Sequence, residues 1–151
     1  MQAPAGKIKI LFLCIGNSCR SQMAEGFARS YGYDVMIPAS AGLSPASAVS
    51  QDTMRAMLEK GIELRDHFPK GLRHLGRAEF DLVINMSGSF LPEPPPGTIV
   101  DWDVTDPVYL DHDEHCIVRD EIERRVMRLI LELRRGPSAK FRGQGSGHVN
   151  P

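Results

Sequence analysis

Apolar residues recur along this chain in two arrangements that alternate. Mainly apolar runs of the length of a buried strand lie at residues 8–14, 80–86 and 98–102, and a further strand is predicted at residues 34–41. Between them, apolar residues at helical spacing predict helices from residue 21, over 50–60 and over 117–133, with a short helix at 69–75. Pro38 lies within the second predicted strand and favours an edge position, a bulge or a short strand there.

Strands that alternate with helices imply right-handed crossovers and a parallel sheet covered on both faces. We therefore predict an α/β fold with three layers, α/β/α, around a four-stranded parallel sheet. The predicted domain spans residues 1–135, with an acidic loop at 103–115 before the last helix. Residues 136–151 contain Gly, Ser and Pro with almost no apolar content, so we expect a disordered tail there.

Composition excludes several classes of protein. The chain has 151 residues, a net charge of −1 and 42% hydrophobic residues, which is typical of one soluble globular domain. The charge balance predicts no nucleic-acid partner, and no apolar run approaches the ~20 residues of a transmembrane helix. The beginning, MQAPAGKIK, lacks the apolar core of a signal peptide. Three cysteines do not form a disulfide framework, so we expect a cytoplasmic protein.

The most informative stretch is residues 8–26, IKILFLCIGNSCRSQMAEG. A predicted strand leads into a tight loop with the small residues Gly16, Asn17 and Ser18, and a predicted helix follows. Such a loop collects backbone N–H groups in front of the positive end of a helix dipole. The pattern predicts a pocket for a tetrahedral oxyanion.

Cys14 and Arg20 lie at the two ends of this loop. The thiolate is the nucleophilic form of cysteine, and a helix N-terminus or a guanidinium group favours it. Arg20 can hold two anion oxygens through its planar fork, and the Ser21 hydroxyl can donate to the sulfur. We predict that Cys14 attacks the central atom of an anion held by residues 15–21: Ile15, Gly16, Asn17, Ser18, Cys19, Arg20 and Ser21. If Cys14 were only a small buried residue, Arg20 would be unexplained.

The segment CIGNSCRSQMAEG resembles the phosphate-binding loop of the low-molecular-weight protein tyrosine phosphatases and of the arsenate reductases that share their fold. Both groups carry a nucleophilic Cys, five residues, then Arg and Ser, matched here by Cys14, Arg20 and Ser21. The similarity extends to about Arg135. It implies the phosphatase I fold and chemistry through a covalent bond to the Cys14 sulfur.

The predicted proton donor is Asp106, in the segment DWDVTDPVYL. Pro107 restricts the Asp106 backbone to extended conformations and helps to orient its carboxyl group. An Asp-Pro pair in this late loop is similar to the general acid of both groups, which is why Asp106 is preferred over Asp101 and Asp103. No metal or other cofactor is predicted, because Arg20 and the loop amides neutralise the charge of the anion.

Four polar residues resemble a family hydrogen-bond network that braces the loop: Asn17, Ser21, Ser40 and His67. We predict a left-handed backbone conformation for Asn17 and a bracing role, rather than a catalytic one, for His67. Val108 directly follows the Asp-Pro pair, where the family often has an aromatic residue, which leaves Tyr109, and we assign Tyr109 a supporting role.

Phosphatase and reductase chemistry differ in their need for a second thiol, which must attack the Cys14 sulfur to release arsenite. Thioredoxin-linked reductases that resemble this chain carry extra cysteines after the third strand. This chain reads INMSGSFLPEPPP there and has no cysteine, which argues against such a relay of three thiols. Gln22 and the segment SAGLSP nevertheless resemble the reductase group. Cys19 can pair with Cys14, as the phosphatases do when oxidised, and Cys116 is a second redox candidate.

The sequence therefore predicts a phosphatase that hydrolyses phosphomonoesters such as aryl phosphates, with protein phosphotyrosine as a candidate substrate. The first alternative is an arsenate reductase that uses Cys14 and a thiol, glutaredoxin or thioredoxin partner. The second alternative is a non-catalytic module that binds phosphate or arsenate.

A cluster of metal-ligand residue types begins at Asp111 and includes His112, Asp113, His115 and Cys116. These types suit zinc, but their spacing matches no closed zinc site. We predict a solvated loop at this cluster and no bound metal.

Overall fold

The computed structural model of the chain describes residues 6–136 and 148–149. Its sheet is entirely parallel, in the order β2-β1-β3-β4-β5. The strands are β1 Ile8–Cys14, β2 Met36–Gly42, β3 Leu82–Asn85, β4 Thr98–Asp101 and β5 His148–Val149. The predicted α/β fold and the four parallel strands are confirmed, and β5 adds two residues beside β4. Apart from Gly136 and β5, the predicted tail lies outside the described residues.

Within residues 6–136, three α-helices and one short 3-10 helix connect the strands: α1 Arg20–Tyr31, α2 Gln51–Leu58, the 3-10 helix Leu72–Leu75 and α3 His112–Arg135. Gly32 follows α1, and the Ser50 hydroxyl caps α2 by accepting a hydrogen bond from the Thr53 N–H. The short helix predicted at residues 69–75 is reduced to the 3-10 turn. Among these described helices, none combines the length and the apolar character needed to cross a membrane.

Helix α3 begins five residues earlier than the periodicity of its apolar residues indicates. The Asp111 carboxylate accepts a hydrogen bond from the Glu114 N–H at 2.9 Å and so starts the helix at His112. The acidic residues of the first turn also suit the helix dipole. Asp111 and Glu114 have the spacing of a capping box, so this signal was in the sequence. The predicted acidic loop therefore ends at Asp111, and its last four residues are helical.

Strand β1 lies at the centre of the sheet between β2 and β3, and it is buried on both faces. Ile10 and Phe12 point into the larger apolar cluster, which includes residues of α1 and α3. Leu11 and Leu13 point into a smaller cluster on the opposite face, which the 3-10 helix helps to cover. Because ligands of such sheets bind beyond the carboxyl ends of central strands, β1 delivers Cys14 to the expected place.

Pro38 lies on β2, which is an edge strand, one of the three alternatives that this proline predicted. Among the described residues, β1 is the only strand that pairs with β2. A proline at this edge can therefore lack its N–H without removing a hydrogen bond from the sheet.

Candidate active site

The loop between β1 and α1 is shaped by hydrogen bonds to its carbonyl groups. Four backbone N–H groups of the segment after β2 donate to it: Leu43 to Cys14 (3.1 Å), Ser44 to Ile15 (2.8 Å), Ala46 to Gly16 (2.9 Å) and Ser50 to Ser18 (3.1 Å). Among the described residues, the backbone N–H groups of residues 16–19 donate to no backbone carbonyl of the turns and loops. With the carbonyls bound on the outside, the N–H groups of this loop are available for an anion.

Gly42 makes this arrangement possible. A Cβ atom at residue 42 would lie 2.6 Å from the Ile15 carbonyl oxygen and 2.8 Å from the Asn17 nitrogen. The anion loop (residues 14–21) therefore rests directly on the end of β2, and only glycine fits there.

Asn17 is the central hydrogen-bonding residue of the anion loop. It is fully buried and has a φ of +51°, the left-handed conformation predicted for it. Its Oδ1 accepts from the Lys70 backbone N–H at 2.9 Å, which fixes the amide orientation and directs Nδ2 to the Ser21 Oγ at 2.7 Å. The Ser21 hydroxyl is thus left to donate its own hydrogen to the Cys14 Sγ, 2.9 Å away. This geometry fixes the position of the Cys14 sulfur at the mouth of the loop.

Gln22 and His67 brace Asn17 from behind. The Gln22 Nε2 donates to the Asn17 carbonyl (3.0 Å) and to the Phe68 carbonyl (3.1 Å), so its Oε1 faces the His67 Nδ1 at 2.8 Å. That His67 nitrogen must carry the hydrogen, and burial lowers the pKa of His67, which favours the neutral ring. His67 thus supports Gln22, and Gln22 supports Asn17, which is the arrangement that a bracing role requires. Sequence reasoning used Gln22 only as a family likeness and missed this contact.

Ser40 does not contact Cys14 or the anion loop directly. Its hydroxyl donates to the buried carboxylate of Glu25, which also binds the Arg29 Nε at 2.7 Å and lies 4.0 Å from the Lys70 Nζ. Burial acts to raise the Glu25 pKa, but the hydrogen bonds from Ser40 and Arg29, with the nearby positive charges, hold it below its ordinary value. The ionised carboxylate helps to position Lys70, whose backbone binds Asn17. Sequence reasoning missed Glu25 and Lys70.

Arg20 joins the anion loop to the segment that carries the predicted acid. Its side chain is 5% exposed, and its Nη1 donates to the carbonyls of Met86 and Val104. Its Nη2 lies 3.3 Å from the Oδ2 of Asp106, whose side chain is 40% exposed. The structure therefore brings Cys14, Arg20 and Asp106 to one site. The rival Asp101 instead accepts a hydrogen bond from Asn85.

Cys19 is the second thiol of the anion loop and is 3% exposed. Burial raises the pKa of its thiol, an effect opposed by hydrogen bonds with Thr53 and Ser18. The Thr53 Oγ1 in turn lies 2.9 Å from the Nε2 of His115, which is also buried. Thr53 and His115 were missed from the sequence, and His115 was wrongly assigned to a solvated loop because the start of α3 was set too late.

Two predicted residues lie away from the anion loop. The Tyr109 side chain is 95% exposed in the turn after Asp106. Cys116 lies on α3 against Glu59, which follows the C-terminal end of α2, whereas Ser50 at the other end of α2 binds the anion loop. Eight helical residues separate those two ends, or about 12 Å. The structure does not bring Cys116 to Cys14.

Comparison with known proteins agrees with this geometry. Residues 9–94 match the family described as low molecular weight phosphotyrosine protein phosphatase. A glutaredoxin arsenate reductase of Synechocystis sp. is 32% identical over 129 residues, covering 83% of this chain and 98% of that protein. An arsenate reductase of Bacillus cereus (strain AH187) is 38% identical over 128 residues, covering 81% of this chain and 93% of that protein.

The same family appears among solved structures. The structure of an arsenate reductase in the phosphate binding state superimposes with a TM-score of 0.75 at 31% identity, covering 83% of this chain and 98% of that chain. The fold and the site thus define a cysteine-based enzyme built around an oxyanion loop. The chain belongs to the low molecular weight phosphotyrosine protein phosphatase family, in the superfamily that also includes these arsenate reductases.

Proposed function

We propose that this protein is an arsenate reductase that uses Cys14 as nucleophile, Cys19 as resolving thiol and an external thiol protein as reductant. This reverses the order predicted from the sequence, where hydrolysis came first. Relatives that are 32–38% identical over nearly their whole length are named arsenate reductases, which supports reduction. The observation that carries the proposal is the second buried thiol, Cys19, held by Thr53 within the anion loop itself.

In the first step the Cys14 thiolate attacks the arsenic of arsenate, and an S–As bond forms. Arg20 and the loop N–H groups hold the arsenate oxygens, where the negative charge is spread. One oxygen leaves as water, and Asp106 is positioned beside Arg20 to supply a proton to it. The hydrogen bond from Ser21 steadies the sulfur throughout.

In the second step the Cys19 sulfur attacks the Cys14 sulfur. An S–S bond forms, the S–As bond breaks and its electron pair stays on arsenic, so As(V) becomes As(III) while two thiols become one disulfide. The proton of Cys19 ends on an arsenite oxygen. The Thr53 hydroxyl holds the attacking sulfur in place. An external dithiol of the glutaredoxin or thioredoxin class, or glutathione, then reduces the disulfide.

A single-turnover experiment tests the role of both thiols. The chain has three cysteines, so the Cys116→Ser variant keeps only Cys14 and Cys19. Mixed with excess arsenate and no reductant, this variant should release one arsenite per chain and lose both free thiols. Cys19→Ser should release arsenite only when an external thiol is added. Absence of arsenite from Cys116→Ser, with or without glutaredoxin or thioredoxin systems, would refute the proposal.

Phosphomonoester hydrolysis is the second candidate, and the position of Asp106 favours it. The carboxyl group lies 3.3 Å from Arg20 in an exposed loop, where it can protonate a leaving alkoxide or phenolate. Steady-state kinetics on p-nitrophenyl phosphate and on arsenate, with Cys14, Cys19 and Cys116 replaced singly, separates the two functions. Hydrolysis should need Cys14 but not Cys19, whereas reduction should stop without Cys14 and, without Cys19, should proceed only where an external thiol attacks the Cys14 sulfur.

A further inference from the structure

A second group of reactive side chains lies where the end of α2 meets the first turns of α3. Glu59 follows α2, and His112 and Cys116 are four residues apart on α3, so the latter two share one face of the helix. We propose that Glu59, His112 and Cys116 form a zinc-binding site that joins these two helices. This reverses the prediction of no metal at His112 and Cys116, which was made without Glu59 because Glu59 lies 53 residues before His112.

Two of the three donor pairs already have the spacing of zinc ligands. The His112 Nε2 and the Cys116 Sγ are 3.5 Å apart, and the Glu59 Oε1 is 3.5 Å from the same sulfur. Tetrahedral zinc with bonds of about 2.0 Å to nitrogen or oxygen and about 2.3 Å to sulfur places such ligand pairs about 3.5 Å apart. The other Glu59 oxygen lies 2.8 Å from the His112 Nε2. An ion can therefore replace these hydrogen bonds without a shift of either helix.

Other contacts hold the two helices in this position. The Lys60 Nζ lies 3.0 Å from a carboxylate oxygen of Glu123, and the Arg119 Nη1 donates to the Ala56 carbonyl at 2.9 Å. The Asp111 cap fixes where α3 begins. The donors are thus arranged before any ion binds, which reduces the ordering cost of coordination.

Arg119 approaches the same cluster, and its position is compatible with a metal. Its Nη1 lies 3.0 Å from the Glu59 Oε1 and 3.4 Å from the Cys116 Sγ, while its bond to Ala56 anchors it beside the three donors. A carboxylate and a thiolate together balance the two positive charges of zinc. Arg119 then remains a hydrogen-bond donor to Glu59, of the kind that orients metal-binding carboxylates.

The types of the three ligand atoms indicate which metal ion the site prefers. One imidazole, one thiolate and one carboxylate suit zinc, whereas calcium and magnesium prefer oxygen ligands alone. Three protein ligands leave one position for solvent, and Glu59 is on the exposed side of the group. Since α2 carries Thr53 and α3 carries His115, an ion at this site would also hold together the two helices behind Cys19.

Zinc titration of the full chain by calorimetry tests the site. We expect one zinc per chain in the wild type and in Cys14→Ser, and more than tenfold weaker binding in Cys116→Ser and in His112→Gln. Asp113→Asn, an exposed carboxylate on the same turn of α3, is the matched control and should bind as the wild type does. Circular dichroism checks that each variant is folded.

Cobalt provides a second readout of the same site. Cobalt-loaded wild type and Cys14→Ser should both show thiolate-to-metal charge-transfer absorption, which Cys116→Ser should remove. Zinc should also raise the melting temperature of the wild type but not of Cys116→Ser. Binding that persists unchanged in Cys116→Ser, binding lost in Cys14→Ser, or no binding at micromolar zinc would overturn the proposal.

Discussion

The anion loop and the acid loop (residues 102–111) meet at Arg20 but are held in opposite ways. In the anion loop, Asn17, Ser21 and Cys19 are buried, and their polar groups bind partners from several elements. In the acid loop, Trp102 and Val104 are buried, but Asp106 is exposed, and its carboxylate contacts only the Val108 N–H of its own loop and Arg20 of the anion loop among the described residues.

The difference separates two tasks. Charge stabilisation works best when the donors are fixed before the reaction, and the hydrogen bonds around Asn17 do this. A proton donor must instead reach leaving groups of different size, which an exposed turn allows. Substitution of the buried hydrogen-bonding residues of the anion loop should therefore change both stability and activity, whereas substitution of the exposed Asp106 in the acid loop should change activity alone.

The largest effect is expected for Cys14→Ser. Loss of the nucleophile should reduce turnover of arsenate and of aryl phosphate by roughly 10⁴–10⁶-fold. The loop amides and Arg20 remain, so inorganic phosphate should still bind, which calorimetry can measure. Turnover close to the wild-type rate would show that the covalent step does not occur at Cys14.

Asp106→Asn, in the acid loop, should reduce activity and leave stability nearly unchanged. The kcat for aryl phosphates should fall by about 10²–10³-fold, most for poor leaving groups, because the proton donor is lost. Stability should change by less than about 1 kcal/mol, since a partly exposed ion pair contributes little. Urea unfolding with parallel kinetics checks both, and a large loss of stability would contradict the contrast between the two loops.

Asn17→Ala, in the anion loop, should reduce both stability and activity. It leaves the Lys70 N–H without its acceptor and removes the donor to Ser21, which should cost about 2–3 kcal/mol of unfolding free energy. The kcat/KM should fall as well, because Ser21 is no longer oriented towards Cys14. Ser44→Ala, whose side chain is exposed, serves as the control in the adjacent segment. Equal stability of the two variants would disprove the central role of Asn17.

The bracing of Gln22 by His67 predicts a pH dependence. Because burial lowers the pKa of His67 from 6.5, the folded protein binds fewer protons than the unfolded chain just below that pH. Stability should therefore fall as the pH drops below about 6.5, and His67→Gln should make this fall less steep. Melting temperatures between pH 5 and pH 8 measure it, and an unchanged slope in His67→Gln would exclude the effect.

Tyr109→Ala should have the smallest effect. With 95% of the side chain exposed, its removal should change the unfolding free energy by less than about 0.5 kcal/mol. The kcat/KM for arsenate should also be nearly unchanged. A clear loss with aryl phosphates only would show instead that Tyr109 contacts bound aromatic groups, as its predicted supporting role requires.

The sequence by itself determined the local features of this protein. The apolar run of β1 specifies a strand, Gly16 and Asn17 specify the loop after it, and α1 begins at Arg20. These signals are short-range, so the Cys14 site could be predicted. The start of α3 was also encoded locally, by the Asp111 cap, although the apolar periodicity placed it too late.

Tertiary structure decided which distant residues support that loop and which do not. Lys70 and Thr53 reach the loop, and Glu59 reaches Cys116, only because the crossovers of a parallel sheet bring separated segments together. Tyr109 and Cys116 carry suitable chemistry in the sequence but lie away from the anion loop. Backbone propensity acts between neighbours in the chain, whereas these contacts depend on how whole elements pack.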